Sequence, residues 1–170
     1  MKLFHGTTFS ASLKIEDEKI IAHKINRPHY KGDGFETTDG YVYLTNNVGY
    51  AAYLAQRLAQ NIDDLCVVYE IDIDENELKT DIDQLKIIGR MPEGEARAFS
   101  VQSSLSSVQS CRISRSLIIG ADVIRKLTLP SASNSGHQSY NLLLELRKLR
   151  RAGDAEESIA LVSQGMWVNL

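Results

Sequence analysis

The chain has 170 residues, 43% of them hydrophobic and 24% charged, with a formal net charge of −3. That is long enough to bury a core, and the composition is that of a globular protein and not of a disordered or fibrous one. No apolar stretch reaches membrane-span length, and Met1-Lys2-Leu3-Phe4 leads directly to His5, not to a signal-peptide core. Two cysteines, Cys66 and Cys111, make no disulfide framework, so a cytoplasmic protein without membrane attachment is expected.

Lys2 to His5 reads as a short strand closed by Gly6. Leu13, Ile20 and Ile21 recur at helical spacing and predict a helix between Ser10 and Ala22, with Ser10 or Ser12 as N-cap. From His23 to Gly40 no periodicity emerges, and Pro28, Gly32, Gly34 and Gly40 punctuate a long loop. Tyr41 to Thr45 has strand composition; Asn46 or Asn47 can cap an alanine-rich helix from Val48 to about Ala59. Leu65 to Ile73 starts as a buried run and then alternates, as a central strand does. A further strand is expected at Leu85 to Ile88, a helix around Glu95 to Leu105, and strands at Gln109 to Ser116 and Val123 to Leu129 joined by a connector at Leu117 to Ala121.

Pro130 to Ser139 is rich in Ser, Asn and Gly and reads as a linker. Two amphipathic helices follow, Tyr140 to Arg151 and Asp154 to about Val162, with Gly153 ending the first and Asp154 capping the second. The expected fold class is α+β: a core of short strands with flanking helices over residues 1–130, then linker and C-terminal helical hairpin over 131–170. Trp167, beside Met166 and Val168, should pack back onto the domain, or else anchor a partner protein docked on residues 140–170.

Charge is segregated along the chain. Residues 1–108 hold 11 Lys/Arg against 17 Asp/Glu, whereas residues 109–151 hold 8 against 2. Arg112, Arg115, Arg125, Lys126, Arg147, Lys148, Arg150 and Arg151 could thus form one basic face suited to a phosphate-bearing ligand or a nucleic acid. The alternative is a scatter of solvated charges.

His5-Gly6-Thr7 puts an imidazole beside a backbone that admits close approach, and Tyr43 puts a phenol on a strand running into a helix that carries Tyr50 and Tyr53. Such a set can clamp a flat heteroaromatic ring attached to a ribose. Each residue alone also has a structural reading, and Tyr50 and Tyr53 at i, i+3 would form an aromatic cluster in any case. Cys66 reads as a core residue, Cys111 beside Arg112 has no partner histidine placed by sequence, and His23 and His29 lack metal-ligand spacing, so no metal is expected.

Phe4-His5-Gly6-Thr7, Gly40-Tyr41-Val42-Tyr43-Leu44-Thr45, Tyr50 and Tyr53, and Val67-Val68-Tyr69-Glu70-Ile71-Asp72-Ile73 together resemble the ADP-ribosyltransferase superfamily. The match is to the branch built on His, Tyr and a variable third residue, which contains poly-ADP-ribose polymerases and bacterial toxins, and it covers residues 1–129. The resemblance implies a split, mixed or antiparallel sheet and NAD as co-substrate. His5 would bind a ribose hydroxyl, Gly6 the nicotinamide carboxamide, Tyr43 one ring face and Tyr53 or Tyr50 the other, with Thr7 alongside. Independently of the resemblance, Arg112 and Arg115 lie on one predicted strand and could reach a diphosphate or an acceptor phosphate, or form a solvated face. The family's late-strand Glu would fall near Gln109-Ser110-Cys111-Arg112, where no carboxylate stands. Gln109 or Ser110 would supply that hydrogen bond, or Glu95 would reach in. The resemblance implies mono-ADP-ribosylation of a macromolecule, and the basic residues from 109 onward favour RNA or DNA over protein as acceptor. A toxin with an antitoxin partner, or a phage-defence effector, is the implied setting. Its rivals are an NAD-using RNA 2′-phosphotransferase and a binding module for NAD, ADP-ribose or nucleic acid without turnover.

Overall fold

In the computed structural model, residues 1–23, 37–59, 62–163 and 167–170 are described. The chain runs β1 (Lys2–Thr8), α1 (Phe9–Glu18), β2 (Ile20–Ile21), β3 (Val42–Thr45), α2 (Val48–Ala59) and β4 (Leu65–Asp72). It continues through β5 (Leu78–Thr80), α3 (Ile82–Ile87), α4 (Glu93–Ala98), α5 (Val101–Val108), β6 (Ser110–Ile113), β7 (Leu117–Ile118) and β8 (Val123–Pro130). It closes with α6 (Tyr140–Ala152), α7 (Ala155–Ser163) and β9 (Trp167–Asn169). The protein is α+β. Seven antiparallel strands form one sheet in the order β5-β6-β3-β1-β4-β8-β9, and β2 pairs with β7 in a second, two-stranded sheet.

Pleating divides the apolar residues between two cores. Leu3, Val42, Leu44, Val67, Tyr69, Ile71, Cys111 and Ile113 lie on one face with Ile21, Leu105 and Leu117. Phe4, Cys66, Val68, Leu127 and Leu129 lie on the other, under Val48, Ala51, Ala52, Ala55 and Ala59 of α2 and under Leu146 and Val162 of α6 and α7. Alanines along α2 let it approach β1 closely. At Gly6 the approach is so tight that an added Cβ would lie 2.0 Å from the Ala51 carbonyl oxygen.

Several local expectations are met: the helix over 48–59 capped by the Asn47 side chain, which accepts from Tyr50 N at 3.1 Å, the strand over 65–72, and the terminal helices, with Gly153 at φ 76° and Asp154 accepting from Glu157 N. Others are corrected. The strand expected at Leu85 to Ile88 is helix α3, because the buried Asp81 side chain caps it by accepting from Gln84 N at 3.0 Å and turns Leu85 onto Ala96 and Val108. One helix at Glu95 to Leu105 is instead α4 and α5, since extended Phe99 and Ser100 break it and Ser100 caps the second. Strand β1 runs through Gly6 to Thr8, and Thr8, not Ser10 or Ser12, caps α1 by accepting from Ala11 N. The helix stops at Glu18, and Ile20 and Ile21 form β2. Most of the loop expected from His23 to Gly40, with His29 in it, lies outside the described residues, as does Met166.

The terminal hairpin packs along α2, and Trp167 returns to the sheet, pairing with Leu127 and stacking on Phe4 at 6.3 Å. No helix among the described residues is long and apolar enough to cross a membrane.

Candidate functional site

Antiparallel β1 and β3 are in register at Phe4 and Thr45. His5 is half-buried in β1 opposite Tyr69 of β4. Its Nδ1 lies 3.0 Å from the Tyr43 carbonyl oxygen, which can only accept. Nδ1 therefore carries a proton and points it at that carbonyl. Gly6, next along, turns its Cα toward α2; Thr7 is buried opposite Val67. The β1–β3 register places Gly6 and Tyr43 on the α2 face and His5 with Leu44 on the other. Imidazole and phenol thus do not project from one face; the bond joining these residues is from the His5 ring to the Tyr43 backbone.

The Tyr43 hydroxyl instead lies against the Asp83 carboxylate and 3.0 Å from the Thr38 carbonyl. Asp83, carried by α3, also accepts from Thr38 N and Oγ1 at 2.9 Å each and from Arg112 Nη1 at 3.3 Å. Arg112 faces Tyr43 across β3 and β6, and its guanidinium sits 4.0 Å from the Tyr41 ring centre. Burial and the Asp83 carboxylate both raise the Tyr43 phenol above its ordinary pKa. Burial would raise Asp83 too, but the bonds from Tyr43 and Thr38 and the Arg112 charge outweigh it, so its carboxyl lies below the usual range. One turn back, fully buried Asp81 accepts from Ser110 Oγ at 2.5 Å, and burial holds its carboxyl above the usual range.

Tyr50 and Tyr53 stack with ring centres 6.4 Å apart. Tyr50 donates to Gln84 Oε1 at 3.2 Å, and burial pushes its pKa up to about 12. Arg150 of α6 lies 3.5 Å from the Tyr53 ring centre. Gln109 caps α5 in the left-handed conformation at φ 55° and lines a cavity with Tyr50 and Arg150. Glu95 is exposed on α4, which packs against α3. Cys66 and Cys111 are buried thiols pushed up to about 12 by burial, which agrees with a packing role. No group of three or more potential metal ligands occurs among the described residues.

The single basic face is not formed. Arg112 pairs with Asp83, Arg115 with Glu77 and Asp122, Arg125 with Glu70, Lys126 with Glu16 and Lys148 with Glu145. Arg125 and Lys126, adjacent on β8, point to opposite faces. The four basic residues on or beside β6 and β8, Arg112, Arg115, Arg125 and Lys126, are thus matched by acids of the first half.

The residues that sequence reasoning passed over are Thr38, Asp81, Asp83 and Gln84. A signal for the last three existed: Asp81-Ile82-Asp83-Gln84 has the spacing of a helix capping box. Compared with known proteins, the chain matches no family model and no curated protein sequence.

Proposed function

We propose that this protein is an NAD-dependent mono-ADP-ribosyltransferase that binds nicotinamide where β1 and β3 part. The observation that carries the reading is the His5 Nδ1 bond to the Tyr43 carbonyl beside Gly6, which fixes an imidazole at the end of the short β1–β3 pairing. A primary carboxamide offers the same donor and acceptor as a peptide group and can pair with the Gly6 backbone as a strand would. The His5 ring, held in that orientation, would then meet a ribose hydroxyl. The nicotinamide ring is gripped at the strand edge itself, with the His5 imidazole on one face of the sheet and the Tyr43 phenol on the other.

In the reaction the bond between nicotinamide N1 and ribose C1′ breaks, its electron pair leaving with the neutralised nicotinamide. A bond from C1′ to the acceptor nucleophile forms, and the acceptor proton passes to base or solvent. The third catalytic position reads differently from the sequence expectation: Ser110 is committed to Asp81, Gln109 lines a separate cavity and Glu95 is exposed, whereas Asp83 adjoins Tyr43. We assign Asp83 to that position, to offset positive charge developing at C1′. Nucleic acid as acceptor now rests on Arg147, Arg150 and Arg151 of α6 and not on a broad basic surface; a toxin or phage-defence role, with an antitoxin partner, is the setting that fits such an activity. A binding module without turnover is favoured by the lack of any carboxylate from Gln109 to Arg112. Nicotinamide release from NAD separates the two: the transferase releases it and loses that activity in His5→Ala, whereas a module releases none.

A further inference from the structure

A cavity of about 280 Å³ lies between helix ends, and its lining includes none of His5, Gly6 and Tyr43. It is walled by Tyr50 of α2, Ile88 after α3, Val108 and Gln109 at the end of α5, and Arg150 and Arg151 in the last turn of α6. Three features give it chemistry. Arg150 is held over the Tyr53 ring at 3.5 Å, so one guanidinium is already ordered. Among the described residues, neither Arg150 nor Arg151 joins an ion pair, unlike Arg112, Arg115, Arg125, Lys126 and Lys148. The Gln109 side chain lines the same cavity beside them.

Charge decides what can enter. The ends of α5 and α6 converge here, each contributing about half a negative charge from its final carbonyls. Two guanidinium groups exceed that, so the cavity favours an anion. Guanidinium forks match phosphate oxygens in bidentate fashion. Val108, Ile88 and the Tyr50 ring leave an apolar wall for a sugar or base edge. The volume falls just below the range of roughly 300–1,000 Å³ usual for small-molecule sites, which suits one nucleotide unit and not two.

We propose that this cavity binds the phosphate of a single nucleotide unit, with Arg150 and Arg151 on the phosphate and the wall of Tyr50, Ile88 and Val108 beside the sugar or base. The site does not depend on NAD cleavage, and NAD as an intact dinucleotide is not its ligand. Isothermal titration calorimetry at low ionic strength tests it with UMP, ribose 5-phosphate, uridine and inorganic phosphate as probes. UMP is expected to bind one per chain, and the Arg150→Gln/Arg151→Gln double variant to weaken it at least tenfold. Arg151→Gln alone, an exposed residue outside the core, is expected to weaken it several-fold with the unfolding temperature unchanged. Ribose 5-phosphate binding as UMP does supports the site, with the sugar phosphate as the recognised part. Uridine binding as tightly as UMP, inorganic phosphate binding as tightly as UMP, UMP binding unaffected by the variants, or no phosphate probe binding at all would each overturn it. Nicotinamide release is a separate readout, so its failure alongside intact UMP binding counts against the transferase reading alone.

Discussion

Asp83 joins Tyr43, Thr38 and Arg112 while largely buried, with 12% of its side chain exposed against 8% for Arg112. Removing one partner of such a pair leaves a buried charge, so Asp83→Ala should lose about 3–5 kcal/mol in urea unfolding. Tyr43→Phe, which deletes one hydroxyl, should lose about 0.5–1.5 kcal/mol. Acid titration gives a second check. The Asp83 and Asp122 carboxyls lie below their ordinary values, Asp122 chiefly through its bond from Arg115. Their contributions are complete above the unfolded carboxylate pKa of about 4 and are lost as pH falls through the lower folded values. Asp81 works in reverse, because its folded value is raised by burial. Between the unfolded and raised folded values the native state binds the extra proton, and acidification stabilises it. Stability measured across pH should therefore rise slightly in mild acid and then fall; Asp81→Asn should abolish the rise, and Asp83→Asn should lessen the fall. At this scale His5 and Tyr43 could be picked out by residue type and order, but Asp83 could not. Its importance comes from a helix that brings it across to β3, where the sequence pattern predicts a strand from Leu85 to Ile88.

Elements with a strong periodic signal were legible. Helix α2 announces itself through Asn47 and its alanines, and β4 through an unbroken apolar run. Helix α3 was not, because Leu85 to Ile88 is a short apolar stretch whose period fits either structure. The close contact of α2 with β1 was equally hidden, since a glycine in a strand does not reveal what lies over it. Gly6→Ala tests that contact. Its Cβ would meet backbone, the Ala51 carbonyl oxygen at 2.0 Å, which cannot rotate away. The helix must shift, and a loss of about 1–3 kcal/mol is expected. For a chain of this size that lowers the unfolding temperature by about 2–4 °C per kcal/mol, read by circular dichroism.

Across the whole molecule, the sheet carries a core on each face, and the terminal helices complete one of them. Leu146 and Val162 share a core with Phe4 and Val68, and β9 extends the sheet beyond β8. Leu146→Ala should therefore destabilise the entire protein by about 2–5 kcal/mol in one cooperative transition. A fragment ending at residue 130 should lack a cooperative transition. The hairpin itself was readable from Gly153 and Asp154, but its burial against α2 was not, because partners of an apolar helix face are set by tertiary packing. Charge segregation misled for a related reason. Pleating sends Arg125 and Lys126 to opposite faces, where Glu70 and Glu16 meet them, so a run of like charge in sequence becomes paired charge in space.

The account stands or falls on an imidazole at residue 5 serving a ribose at the β1–β3 junction. The direct measurement is incubation of purified protein with NAD labelled in its adenosine half, in the presence of separate RNA, DNA and protein pools, with released nicotinamide quantified alongside. The account predicts nicotinamide release, with label in one pool, falling at least a hundredfold in His5→Ala and in Tyr43→Ala while both variants keep the native circular dichroism spectrum. Undiminished labelling by folded His5→Ala, or no nicotinamide release by the native protein, would contradict it.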